Sequence, residues 1–82
     1  MTINQAPLNH LLVVRSFSCK DEDRDLSDIE SRLMHLGFIA GQVIKVTKKA
    51  PLFQEPLLVE VRGRQVALSL AEAGLVEVEV LP

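Results

Sequence analysis

From Gly41 to the C-terminus, apolar residues recur at every second position. Ile44 and Val46 alternate with Lys45 and Thr47. Leu57, Val59 and Val61 alternate with Leu58, Glu60 and Arg62. Val66 and Leu68 flank Ala67, and Val76, Val78 and Val80 alternate with Glu77 and Glu79. A period of two puts one set of side chains on each face of a pleated chain, so each run predicts a half-buried β-strand. Ahead of them, Leu11-Leu12-Val13-Val14-Arg15-Ser16-Phe17 is too short and too rich in β-branched side chains for a helix, and it reads as the first of five strands. Between the first and second strands the period changes. Ser27-Asp28-Ile29-Glu30 has the form of a capping box, and Ile29, Leu33 and Leu36 follow at helical spacing, with Gly37 where a left-handed cap is needed. The predicted helix has roughly three turns and can bury a single stripe.

The connections follow from their punctuation. Ser18 to Asp25 is a charged loop, Pro51 to Pro56 a longer hairpin loop, and Arg62-Gly63-Arg64 a tight reversal in which Gly63 takes a positive φ. Ser69 to Gly74 has room for one helical turn before the last strand. Residues Met1 to Asn9 are polar, carry Pro7 and read as a flexible lead-in to a domain spanning 10–82. Five short strands and one helix cannot cover both faces of a flat sheet. Curling into a barrel buries the apolar face and removes exposed edges, with Leu75 to Leu81 pairing against the first strand. The expected class is therefore mainly β: a small barrel of about five strands with one short α-helix between the first and second strands. No internal repeat or low-complexity stretch interrupts it.

Composition narrows the possibilities. With 82 residues there is room for one core and no second, catalytic domain. The chain is 48% apolar and 24% charged, a globular composition whose only aromatics are Phe17, Phe38 and Phe53. A net charge of -2 speaks against nucleic acid as a partner, because phosphate neutralisation needs a cationic excess. The charge is unevenly spread. Asp21 to Glu30 holds six acids against Arg24, whereas Lys45 to Arg64 holds five bases against Glu55 and Glu60. Such an asymmetry can orient a partner, although two ordinary solvated faces would look the same. One cysteine, Cys19, excludes an internal disulfide and fits a reducing compartment. The longest apolar run, Leu11 to Val14, is far too short for a bilayer, so the expected location is cytoplasmic, with no direct membrane insertion.

No catalytic residues emerge. His10 and His35 are the only histidines, neither falls into a triad with Cys19, and Gly37, Gly41, Gly63 and Gly74 are too dispersed for a phosphate loop. For metal, His10, Cys19, His35 and the acids from Asp21 to Asp25 are suitable ligand types without CxxC or HxxxH spacing. No intrachain metal site is assigned and no cofactor is required. Weak surface binding, or a site shared between two copies, stays open. Partner contact is better supported. Leu52 and Phe53 stand at a loop tip between Pro51 and Pro56, beside Lys48 and Lys49, as an apolar anchor with a charged rim. Met34 and Phe38 lie off the helix stripe and could extend that surface. The alternatives are that Phe53 folds over the barrel mouth and, favoured for its own residue, that Phe38 packs under the helix.

The segment Arg32-Leu33-Met34-His35-Leu36-Gly37-Phe38-Ile39-Ala40-Gly41, followed by Ile44 and Val46, resembles the signature of the FeoA domain: an arginine-leucine pair, a leucine-glycine step and a second glycine before a strand. Ala50-Pro51-Leu52, Pro56-Leu57, Gly63, Val66-Ala67-Leu68 and Glu72-Ala73 then follow in that family's order and approximate spacing. The resemblance runs from Leu11 to Val80. It departs at Phe53-Gln54-Glu55, where many relatives carry a glycine-aspartate turn, and at Ser69, where the family often carries a basic residue. It implies an SH3-like barrel acting as a non-enzymatic accessory of the membrane transporter FeoB, whose cytoplasmic GTPase region drives or gates ferrous iron uptake. In that setting any metal bound weakly or between copies would be Fe2+ or a Zn2+ surrogate. The runner-up is a freestanding metal-responsive module related to the C-terminal domain of iron-dependent repressors. The edges of so small a barrel also leave room for a homodimer.

Overall fold

The computed structural model describes residues 1–17, 27–49 and 56–82. Five strands form one antiparallel sheet: β1 (Leu11–Phe17), β2 (Val43–Lys49), β3 (Leu57–Val61), β4 (Arg64–Leu68) and β5 (Val76–Val80). Their spatial order is β4-β3-β2-β1-β5, so the last strand pairs with the first, as its alternating pattern predicts. Helix α1 (Ser27–His35) joins β1 to β2, and the four-residue helix α2 (Leu70–Ala73) joins β4 to β5. The inner faces carry Leu12, Val14, Ile44, Val46, Leu57, Val59, Val61, Leu68, Val76 and Val78, all buried. These are the in-facing members of the period-two runs, and they make the core that curls the sheet.

Two bulges help it curl. The β1–β5 register shifts between Val14 and Ser16, and the β2–β3 register shifts between Val46 and Lys48. An extra residue on one strand increases the local twist, and a strongly twisted sheet wraps round its own apolar face.

Closure is not completed by strand pairing, which corrects the expectation that the barrel has no edges. β4 and β5 end the hydrogen-bonded order. The gap between them is filled by packing: α2 follows β4 and touches a 3-10 turn at Ile3–Gln5, and that turn touches β5. The N-terminus is therefore part of the barrel rather than a flexible lead-in. Ile3 and Ala6 are buried in the core, Thr2 bridges to Glu77, and the Val78 amide donates to the Met1 carbonyl at 2.8 Å. The sequence hides this because two isolated apolar residues among polar ones have no period.

Helix α1 ends as its pattern requires. Gly37 takes φ 111°, its amide donates to the Met34 carbonyl, and the Phe38 amide donates to the Leu33 carbonyl, both at 3.0 Å. This is a Schellman cap, which usually brings together the side chains at its two ends. Here those are Leu33 and Phe38, each fully buried. The capping box expected at the other end turns on the Ser27 side chain, which lies outside the described set. Between β3 and β4 the reversal is tighter than read from glycine alone: Arg62 has φ 53° and Gly63 φ 78°, the two positive values of a type I′ turn.

Candidate docking surface

Of the residues expected to contact a partner, Leu52 and Phe53 lie outside the described residues. The other four do not form one surface. Phe38 is 0% exposed, which removes it as a contact residue, because the Schellman cap turns its ring under α1 into the core. Lys49 is not a free rim cation: its Nζ donates to the carbonyl oxygens of Ala6 at 3.0 Å and Asn4 at 3.3 Å, clamping the end of β2 to the N-terminal segment. Lys48 is exposed opposite Leu58, at the same end of β2. Met34 is 50% exposed on α1, whose cap at Gly37 sits against Val61 and Arg62. Val61 pairs with Ile44 near the start of β2, so Met34 and Lys48 flank opposite ends of a strand about 20 Å long.

A different apolar strip lies on the outer face of the sheet. Leu11 is 53% and Val43 41% exposed, and Val13, half-buried, pairs directly with Val43. Its rim is charged. Lys45 stands opposite Leu11, Glu79 opposite Val13, and Arg15 Nη2 pairs with Glu79 Oε2 at 3.0 Å. The signal was present in the continuous run Leu11 to Val14: on a strand with one face buried, half of such a run must point outward.

Glu72 joins the two helices. One carboxylate oxygen accepts from the Ser69 amide at 3.0 Å, the Ser69 hydroxyl accepts from the Glu72 amide at 3.1 Å, and the other oxygen pairs with Arg32 Nη1. Ser69 is thus the N-cap of α2, a role a basic residue could not fill.

For metal, the described residues contain no group of three or more His, Cys, Asp or Glu that could hold an ion. His10 is exposed before β1 and His35 is exposed in the last turn of α1. Cys19 and the acids Asp21 to Asp25 lie outside the described residues. Among the described residues no helix is long and apolar enough to cross a membrane.

A five-stranded antiparallel sheet in the order β4-β3-β2-β1-β5, curled round an aliphatic core, defines an SH3-like domain. The chain belongs to the FeoA family: the family model of the FeoA domain matches residues 1–80. Among solved structures, it is similar to Stenotrophomonas maltophilia FeoA complexed with zinc, described as a prokaryotic SH3-domain protein and a candidate ferrous iron transport activating factor. That relative is 35% identical, with a TM-score of 0.80 over 96% of this chain and 89% of the other. FeoA from Chlorobium tepidum is 26% identical, with a TM-score of 0.82 over 100% of this chain and 71% of the other. The repressor ScaR with bound Cd2+ shares the fold alone, at 20% identity and a TM-score of 0.75 over 96% of this chain and 35% of the other. Comparison with curated proteins finds no match. The family is one of small accessory SH3-like domains linked to ferrous iron transport.

Proposed function

We propose that this protein is a non-enzymatic accessory of ferrous iron uptake, acting in the cytoplasm by contact with the GTPase region of a FeoB-like transporter. Its membership of the FeoA family carries the reading. In support, exposed apolar side chains with charged neighbours are available for contact, Leu11 and Val43 on the sheet and Met34 on α1, and the sequence adds Leu52 and Phe53 shortly after Lys48 and Lys49. Interface anchors of this kind are lost when an aspartate is placed on them, because the charge must be desolvated. Retention of purified FeoB cytoplasmic region by immobilised protein tests both parts. Wild type is expected to retain it, and Val43→Asp or Phe53→Asp to weaken it by about tenfold or more. Undiminished retention by both variants overturns the surface; no retention by wild type overturns the role.

A second reading is favoured by the zinc in the Stenotrophomonas relative: weak or intermolecular binding of Fe2+ or Zn2+ through His10, His35 or Cys19. Calorimetric titration with Zn2+ is expected to give heat that disappears in His10→Ala, His35→Ala and Cys19→Ala combined. A flat wild-type titration overturns it.

A further inference from the structure

The two ends of the sheet are treated differently. The outer edge of β5 is occupied by the N-terminal segment through the Thr2–Glu77 bridge and the bond from the Val78 amide to the Met1 carbonyl. The outer edge of β4 has no such cover among the described residues. Val61 and Arg64 flank the two-residue turn and exchange the first pair of ladder bonds, so the antiparallel alternation points the groups of Val66 and Leu68 toward β3. The amide and carbonyl of Gln65 and Ala67 then point outward, and no backbone bond to them exists among the described residues. β4 lacks most of the usual protection as well: it has no proline and no bulge, its one inward-face charge is Arg64 at the turn, and Ala67 is exposed and small.

Charge says what would sit there. Arg62 and Arg64 are exposed at the turn end, and Lys48 is exposed on the outer face in the row of Leu58 and Ala67; Glu60, opposite Gln65, is the single acid on β2, β3 and β4. Two copies meeting along β4 would bring a basic edge to a basic edge, which disfavours a homodimer there. The geometry points to β4 as a strand-addition site for an extended acidic segment of a partner protein. The backbone of that segment pairs with Gln65 and Ala67 while carboxylates at its end meet Arg62 and Arg64 at the turn. This goes beyond the transporter reading and stands or falls separately, because its test needs no transporter.

The probe is an eight-residue peptide of alternating glutamate and valine, blocked at both ends. In amide NMR of the full chain, adding it is expected to shift the Gln65 and Ala67 resonances and slow their exchange. A peptide with every backbone nitrogen methylated, unable to donate from either edge, is expected to bind about tenfold more weakly at equal charge. Ala67→Pro deletes the outward donor without touching the ladder to β3 and is expected to have the same effect; Arg64→Glu weakens binding through charge. If the Gln65 and Ala67 signals do not move at millimolar peptide, if the methylated peptide binds equally well, or if sedimentation shows pairing of two copies along β4, the proposal is overturned.

Discussion

Gly37 answers two demands, and they can be separated by comparison with Gly63. Both have left-handed φ, 111° and 78°, which costs a residue bearing a Cβ about 1–2 kcal/mol. A Cβ at Gly63 would meet nothing within 4 Å, whereas one at Gly37 would lie 2.7 Å from Val61 Cγ1. Val61 is buried and its backbone is held by β2 and β4, so it cannot yield cheaply. Gly63→Ala is therefore expected to lower stability by about 1 kcal/mol in urea unfolding, and Gly37→Ala by clearly more. Equal losses would show that the contact with Val61 relaxes. The glycine after the helix was legible from its place behind Leu36; the neighbour that makes it irreplaceable was not, because Val61 is brought there by a strand pairing.

At the level of elements, Glu72 links α1 to the segment that closes the barrel. Its amide-capping function needs only a side-chain oxygen, which glutamine supplies, while the pairing with Arg32 needs charge. Arg32 is more than half exposed, so that pairing contributes at most about 1 kcal/mol. Glu72→Gln should accordingly cost less than Glu72→Ala, with a difference near 1 kcal/mol for the cap. Thermal unfolding of the two variants measures this, and equal loss would assign the whole effect to Arg32. The strands and α1 were readable because their apolar period matches their geometry. α2 was readable only as a turn, since four residues carry no period, and its meeting with Arg32 depends on how the sheet curls.

For the molecule as a whole, the N-terminal segment is a structural strut. Ile3 is 0% exposed, and Lys49 holds the carbonyls of Asn4 and Ala6. Ile3→Ala is expected to cost about 2–5 kcal/mol in urea unfolding, as for other fully buried aliphatic residues. Stability unchanged by this substitution would return the segment to the status of a lead-in. Loss of the strut would also uncover the β5 edge and open it to pairing.

The spacing of apolar positions by itself determined the strands and the helix between the first two, since a strand's period and a helix's stripe are local properties of the chain, and the resemblance to the family was carried by the ordered motif from Arg32 to Gly41. Tertiary structure alone decided that Ile3 closes the barrel, that Phe38 is core and Lys49 a clamp, and that the N-terminal segment seals the β5 edge. Those outcomes depend on which segments meet across the curled sheet, and a contact between residues distant in the chain leaves no period in the sequence.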